Sequence, residues 1–399
     1  MKARFLFPIS CLLFVLALVW ALAHRQAAKS FHWLVEEECL APVRYSVPVP
    51  DGVYLVKATL GGQTAGLTTL RAESRRLFFE QVPTAAGESQ TLSFCVHKRD
   101  SRLSDSLSVR LKPREKNKLN WNGSLDLEIC GPAPRLKKLE IVSRPDVPVV
   151  FLCGNSTVVD QDNEPWASWG QVIPACFTDQ VCIANFAESG EAANTFISAR
   201  RLQKIEQMIK PGDYVFVEFG HNDQKQKGPG RGAYTSFWNS MRQFVEMARA
   251  HGATPVLLTP TQRRSFGPDG RIEDTHLDFP QATRDLAREM QVPLIDLHAM
   301  TRTLYEALGV EASKRAFVHY PAGSWPGQTA DLADNTHFNP YGATQVAKCV
   351  VQGIRQAGLP LAAYLRADLP AYDPARPDDP DSFVWSPSEF IEIEKPDGN

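Results

Sequence analysis

The fold class follows first from the stretch Val149-Val150-Phe151-Leu152-Cys153-Gly154-Asn155-Ser156-Thr157, in which an apolar run ends in small and polar residues. A run that is apolar on both faces is typical of a central strand in a sheet covered on both sides. A glycine and a serine directly after such a strand indicate a strand-to-helix turn with an exposed hydroxyl. Taken alone, a serine in a turn is more often a helix cap, so a chemical role needs support from elsewhere in the chain.

Further apolar runs on the C-terminal side of this stretch alternate with helical patterns. The predicted strands cover residues 149–152, 181–185, 214–219, 255–258 and 294–297. The predicted helices cover residues 195–210, 235–251, 281–289, 302–308 and 343–355. Because buried strands that alternate with helices form a parallel sheet, we predict an α/β fold with a flavodoxin-like, doubly wound parallel sheet over residues 147–366.

The N-terminal side has a different pattern. Residues 31–142 contain short alternating runs, such as 53–60, 75–82 and 91–98, separated by Gly- or Pro-containing turns. This spacing predicts a small all-β sandwich. We interpret it as an accessory module, similar to the galactose-binding-like kind. Residues 143–148 contain two prolines and form the predicted linker, whereas the Pro- and Asp-rich residues 367–399 are predicted to be an extended tail, partly docked through apolar residues.

The first 23 residues contain Lys2, Arg4, an apolar run over residues 5–23 and the small-residue ending Ala21-Leu22-Ala23. This pattern predicts a signal peptide, with an uncleaved membrane anchor as the alternative because the apolar run is long. Both alternatives place the rest of the chain outside the cytoplasm, in the periplasm, at the cell surface or in the medium. Membrane contact is expected only if the segment remains attached.

Composition argues against one class of partner. The chain has 399 residues, a formal charge of -2 and a pI near 6.5, whereas nucleic-acid-binding proteins carry a strongly basic face. Seven cysteines follow the first segment; Cys176 and Cys182 form a disulfide or remain free thiols, and the spacing does not decide between these alternatives. No CxxC pair or His/Cys cluster indicates zinc, and we predict neither a metal nor an organic cofactor.

Candidate catalytic residues follow the predicted strands, where ligands gather in sheets of this kind. Ser156 follows the first strand, Gly190 lies after the second, and Asn222 follows the third. Asp334 and His337 come in the loop before the last helix. An imidazole is suited to accept a serine proton near neutral pH, and an aspartate three residues earlier can orient it.

Together these blocks resemble those of the SGNH (GDSL-like) hydrolase superfamily. The resemblance is strongest to rhamnogalacturonan acetylesterases, through Gly220-His221-Asn222-Asp223, Leu258-Thr259-Pro260 and Asp334-Asn335-Thr336-His337-Phe338. It implies Ser156, Asp334 and His337 as catalytic residues, and Ser156, Gly190 and Asn222 as the oxyanion hole. The family normally has Asp where this chain has Asn155, and it places a cleft residue at the position of His221.

We therefore predict a serine esterase that removes acetyl groups from a pectic polysaccharide through an acyl-enzyme. The alternatives are an SGNH esterase or lipase acting on another acylated glycan or a lipid, and a non-catalytic polysaccharide-binding protein. Arg263 and Arg264 are candidate contacts to galacturonate, or else solvated loop residues. Residues 98–118 hold eight Lys/Arg against three Asp/Glu, a surplus that either attracts a polyanion or is a solvated loop.

Overall fold

The computed structural model describes residues 31–389. The predicted signal peptide or anchor lies outside these residues. Among helices within residues 31–389, none is long and apolar enough to span a membrane.

The N-terminal part is built from strands alone, apart from two short 3-10 turns. In chain order the strands are β1 His32–Val35, β2 Val43–Pro48, β3 Gly52–Gly61, β4 Gly66–Ala72, β5 Arg76–Thr84, β6 Ser89–Lys98, β7 Arg102–Ser104, β8 Leu107–Ser108, β9 Ser124–Ala133 and β10 Leu136–Ser143. One antiparallel sheet has the order β1-β10-β3-β6 and the other β2-β9-β4-β5, while β7 and β8 form a separate hairpin. Apolar side chains of both sheets, such as Val56 and Leu127, share one core, which is the predicted sandwich.

The C-terminal part alternates strands and helices. Its strands are β11 Val149–Gly154, β12 Cys182–Asn185, β13 Tyr214–Glu218, β14 Thr254–Leu258, β15 Leu294–Ile295, β16 Phe317–Tyr320 and β17 Leu332–Phe338. Its helices are α1 Trp169–Val172, α2 Ala193–Ser198, α3 Arg201–Glu206, α4 Trp238–Ala250, α5 Phe279–Glu289, α6 Leu297–Leu308 and α7 Pro340–Gln356. The order β12-β11-β13-β14-β15, all parallel, is the flavodoxin-like order and confirms the predicted fold class.

The two parts share one sheet. Val96 of β6 pairs in parallel with Ile183 of β12, so that four antiparallel and five parallel strands form a single nine-stranded sheet. The core is shared as well, because Leu55 of β3 belongs to the same apolar cluster as Phe151 of β11. The sequence pattern did not indicate this continuity.

Three further features differ from the sequence-based expectation, the first being that Asp334 and His337, expected in a loop, lie on the strand β17. The predicted helix over residues 195–210 is broken into α2 and α3 at Arg200, whose φ of 66° is left-handed. The break starts a new helix at Arg201, whose buried guanidinium lies 2.5 Å from a carboxylate oxygen of Glu115. The short helix α1 was not predicted.

The C-terminal tail packs against both parts of the protein through apolar residues, as the sequence pattern predicted. The Phe383 ring lies edge-on to Tyr341 of α7, and the Arg71 guanidinium of β4 lies 4.6 Å from the centre of the Trp385 ring. All seven cysteines within the described residues are free thiols, which excludes a Cys176–Cys182 disulfide in this structure.

Candidate active site

Ser156 lies at the carboxyl end of β11, next to the point where the strand order reverses between β11 and β13. The chain needs a glycine at position 154, because a Cβ there would lie 2.5 Å from Cγ2 of Val158 and 3.0 Å from the carbonyl oxygen of Glu218. Oδ1 of Asn155 accepts a hydrogen bond from the backbone N–H of Thr157 at 3.1 Å, which is an Asx turn around the serine.

Asp334 and His337 both lie on β17, which pairs with β16 through a shift in register. Val318 is opposite Asp334 and Phe317 is opposite Phe338, so three extra residues loop out between them. Oδ1 of Asp334 accepts the backbone N–H groups of Thr336 at 2.8 Å and His337 at 3.0 Å. This bulge folds the imidazole back onto the carboxylate.

The three predicted catalytic residues form one hydrogen-bonded chain. Nδ1 of His337 lies 2.7 Å from Oδ2 of Asp334, and Nε2 of His337 lies 2.8 Å from Oγ of Ser156. All three residues are buried, with His337 fully enclosed. Because the aspartate fixes the proton on Nδ1, Nε2 is left to accept the serine proton.

The loops that carry Gly190 and Asn222 are joined to each other. The amide of Asn222 donates to the carbonyl oxygen of Glu191 at 3.0 Å, and a side-chain amide has a second N–H to offer. Gly190 has a φ of 77°, which glycine adopts without strain. Asp223, which was not singled out from the sequence, accepts the backbone N–H groups of Ala193 at 2.9 Å and Gly220 at 3.0 Å, and so ties the two loops together.

Three cations of the basic run over residues 98–118 are neither free to bind a polyanion nor solvated, whereas Arg102, Arg110 and Lys116 are exposed, as in a solvated loop. Arg114 forms an ion pair and hydrogen bond with Glu188, Lys112 lies 3.3 Å from Glu191, and Lys118 lies 2.5 Å from Asp162. Arg114 also donates to the carbonyl oxygen of Ser189 at 3.3 Å. Both sequence-based interpretations are therefore wrong for these cations, which clasp the loop that contains Gly190.

The cations around Glu188 lower the pKa of its carboxyl group. Burial alone would raise the pKa of this carboxyl, but Lys118, Arg201 and Arg114 together hold it at about 2. Glu188 is therefore ionised at every working pH, and the clasp does not titrate with it.

The candidate substrate-binding residues lie at the same edge of the sheet, and both arginines have internal partners. Arg263 donates to the carbonyl oxygen of His221 at 3.2 Å and to Oγ1 of Thr275 at 3.0 Å. Arg264 donates from its backbone to the carbonyl oxygen of Asn335 at 2.8 Å and from its side chain to Oδ1 of Asn335 at 3.1 Å. Arg264 thus supports the loop between Asp334 and His337, a role that the sequence did not indicate.

His221 is buried, and burial lowers the pKa of its imidazole well below its ordinary value, so the ring is neutral. Lys225 is a further cation near this site, and the sequence analysis did not identify it as a candidate. Desolvation, together with repulsion from Arg263, lowers the pKa of its ammonium group. Its position shortly after His221 and Asn222 in the sequence could have identified Lys225 as a residue of the site.

A parallel sheet of this order, with a serine, a histidine and an aspartate hydrogen-bonded in series at its carboxyl edge, defines an α/β ester hydrolase of the SGNH type. Comparison with known proteins narrows the class. Residues 152–345 match the model of the GDSL-like lipase/acylhydrolase family.

Two relatives in Bacillus subtilis (strain 168) each match about half of this chain. The rhamnogalacturonan acetylesterase RhgT is 45% identical over 218 residues, which are 54% of this chain and 93% of that protein. The probable rhamnogalacturonan acetylesterase YesY is 32% identical over 215 residues, or 53% of this chain and 94% of that protein. The crystal structure of YxiM from Bacillus subtilis superposes with a TM-score of 0.49 at 24% identity, covering 79% of this chain and 80% of that one.

The chain belongs to the GDSL-like lipase/acylhydrolase family, in its rhamnogalacturonan acetylesterase-like group. It is an enzyme of the carbohydrate acetylesterase class.

Proposed function

We propose that this protein is an exported serine esterase that removes O-acetyl groups from a pectic polysaccharide, rhamnogalacturonan, through an acetyl-enzyme. The observation that carries the proposal is the 2.8 Å contact between Oγ of Ser156 and Nε2 of His337, in a chain 45% identical to a rhamnogalacturonan acetylesterase. Export rests on the pattern of residues 1–23.

In the first half-reaction His337 acts as a general base. Its Nε2 accepts the proton of Ser156 while Oγ forms a bond to the acetyl carbonyl carbon, and Asp334 stabilises the imidazolium. The negative charge that develops on the carbonyl oxygen is bound by the backbone N–H groups of Ser156 and Gly190 and by the second N–H of Asn222. When this intermediate collapses, the bond to the sugar oxygen breaks and His337 returns the proton to that oxygen.

In the second half-reaction water replaces the sugar. His337 takes a proton from the water as it attacks acetyl-Ser156, the same donors hold the oxyanion, and acetate leaves. The proton on His337 then returns to Oγ of Ser156, so the residues end as they began. The fixed positions of the donors matter because they need not reorganise during either step.

Binding of a uronate-containing chain is supported by positive charges at the carboxyl edge of the sheet, the edge that carries Ser156. Arg263 and Lys225 lie on loops that follow β14 and β13, next to His221. Guanidinium and ammonium groups attract carboxylates, and these cations would favour a galacturonate-rich substrate over neutral xylan. The guanidinium groups of Arg263 and Arg264 both have internal partners, so a carboxylate would be bound by their remaining N–H groups.

The test measures acetate released from acetylated rhamnogalacturonan and from acetylated xylan by the wild type and by Ser156→Ala. We expect release from the pectic substrate to exceed release from xylan, and the variant to lose about a thousand-fold or more in kcat. Equal release from both glycans would overturn the substrate assignment, and activity in Ser156→Ala would overturn the nucleophile. A long-chain acyl ester serves as a third substrate, and a preference for it would favour the lipase alternative.

A further inference from the structure

A second cluster of chemically capable side chains lies at the carboxyl edge of the sheet, outside the Ser156–His337–Asp334 chain. It consists of Asp274 and His276, from the segment between β14 and α5, and His298, from the first turn of α6. One ligand atom of each residue lies within 4.8 Å of the other two. The segment and α6 follow adjacent strands, β14 and β15, so the fold itself brings the three together.

Two of the three side chains, His276 and His298, are buried and have ring nitrogens that form no hydrogen bond with the described residues. Neither ring nitrogen of His276, which is fully buried, forms a hydrogen bond with any group in residues 31–389. Nε2 of His298 lies 3.3 Å from Oδ1 of Asp274, but the geometry is not that of a hydrogen bond. A buried imidazole without partners is costly, because even the neutral ring has one N–H to donate and one lone pair to fill.

The set of donors matches the preference of a divalent transition metal. Two imidazoles and a carboxylate are the ligands found in zinc sites that keep a fourth position for water. In a tetrahedral site with bonds of about 2.0–2.1 Å, neighbouring donor atoms are about 3.4 Å apart, close to the 3.3 Å between Asp274 and His298. The ligand atom of His276 lies within 4.8 Å of the other two, so this ring would have to move closer for one ion to bind all three residues.

The surroundings supply the outer contact that a metal-binding imidazole needs. The side-chain amide of Gln262 lies 3.3 Å from Nδ1 of His298, and its oxygen has no partner within the described residues. Rotating this amide by half a turn would let its oxygen accept the Nδ1 proton and leave Nε2 for the ion. The side chain of Asp274 is 41% exposed, which provides an entry path from solvent.

We propose that Asp274, His276 and His298 form a binding site for one divalent zinc-class ion. The site has a structural, positioning role. His276 packs edge-on against His221 with ring centres 4.5 Å apart, so an ion there would fix the wall beside Asn222. No step of ester cleavage passes through the ion.

The proposal is tested with Zn²⁺ alone. Full-length protein is stripped with a chelator, dialysed to equilibrium against micromolar Zn²⁺ and analysed for bound zinc by mass spectrometry. We expect one zinc per chain in the wild type and a loss of at least ten-fold in occupancy in Asp274→Asn and His298→Gln. Asp274→Asn leaves the buried rings in place, so it reports on binding even if the histidine variant fails to fold.

Two controls separate this site from other histidines. His32→Gln removes an exposed imidazole on the sandwich, and His337→Gln removes the imidazole beside Ser156. Both variants are expected to keep their zinc, and Zn²⁺ is expected to raise the melting temperature of the wild type but not of Asp274→Asn. The proposal is overturned if the wild type binds no zinc, if Asp274→Asn keeps it, or if only His337→Gln loses it.

Discussion

Asn155 and Glu218 share one hydroxyl group beneath the nucleophile turn. Oγ1 of Thr157 lies 3.0 Å from Oδ1 of Asn155 and 3.0 Å from Oε1 of Glu218, yet it has only one proton to donate. Burial raises the pKa of Glu218 to about 7, so this carboxyl is protonated over much of the acidic range. A protonated Glu218 can donate to Thr157, which then donates to Asn155. Once Glu218 ionises, its carboxylate competes with the oxygen of residue 155 for the Thr157 proton, and a neutral amide there repels it less than a second carboxylate would.

We expect Asn155→Asp, which restores the family's residue, to destabilise this protein by about 1–3 kcal/mol at pH 8 because two carboxyls would compete for one hydroxyl. Adding Glu218→Gln removes that competition, and the double variant is expected to recover most of the loss. Urea unfolding of all four members of the cycle measures the coupling, together with kcat on a small acetyl ester. Additive effects of Asn155→Asp and Glu218→Gln on stability at pH 8 would show that the two sites do not interact.

Glu218 also makes stability depend on pH. Its pKa rises from an ordinary 4.5 to about 7 on folding, so between these values the unfolded chain releases a proton that the folded chain keeps. The contribution of Glu218 to stability is therefore full below about pH 4.5, falls as the pH rises towards 7 and is lost above it. The difference amounts to about 3 kcal/mol for this residue alone.

The free energy of unfolding should depend less steeply on pH in Glu218→Gln than in the wild type. We expect the free energy of unfolding of Glu218→Gln to fall less than that of the wild type between pH 5 and pH 8, by about 3 kcal/mol, because the amide cannot ionise. Glu36→Gln, which changes an exposed carboxyl, is the control. An identical slope in Glu218→Gln and the wild type would mean that this carboxyl ionises in the folded protein as it does in water.

At the level of elements, the sandwich supports the catalytic part through the clasp formed by Lys112, Arg114 and Lys118. These residues follow the β7–β8 hairpin and reach the loop after β12, where Arg114 contacts both Glu188 and Ser189. Gly190 comes next in the chain. The clasp therefore sets the position of one proposed oxyanion donor from outside the catalytic part.

We expect Arg114→Ala to lower kcat about ten-fold with little change in KM, because a displaced donor weakens binding of the transition state more than that of the ground state. Arg114→Lys should recover part of the loss. Arg110→Ala removes an exposed arginine from the same run and serves as the matched control. A rise in KM with unchanged kcat would instead assign Arg114 to substrate binding.

Across the whole molecule, the sequence predicted what depends on local pattern and missed what depends on distant pairing. The apolar runs identified the five parallel strands and the position of Ser156 after the first of them, but not the pairing of β16 with β17 that holds His337. Arg75 and Arg76 show the limit: nothing in their segment indicates that both are buried, because their partners Glu164 and Asp160 lie more than eighty residues away. The proposed metal site formed by Asp274, His276 and His298 was not predicted for the same reason, because its residues follow two different strands and meet only in the fold.

The shared sheet and core predict that the two parts unfold together. The apolar cluster that contains Phe151 and Phe186 of the catalytic part also contains Val53, Leu55 and Trp121 of the sandwich. Arg99 lies over both the Trp121 and Phe186 rings, at 4.2 Å and 4.1 Å from their centres. Neither part can lose its structure without exposing this cluster to water.

We therefore expect urea to abolish esterase activity and far-UV circular dichroism in one coincident transition, although the chain has two parts by sequence pattern. Trp121→Ala should lower the free energy of unfolding by about 3–5 kcal/mol, because it removes a large side chain from the shared core. Both unfolding curves should therefore shift together to lower urea concentration. A chain that lacks residues 31–142 should aggregate, since its β12 edge and Phe186 would be uncovered. Two separate transitions, or a soluble and active truncated chain, would show instead that the C-terminal part folds independently of the sandwich.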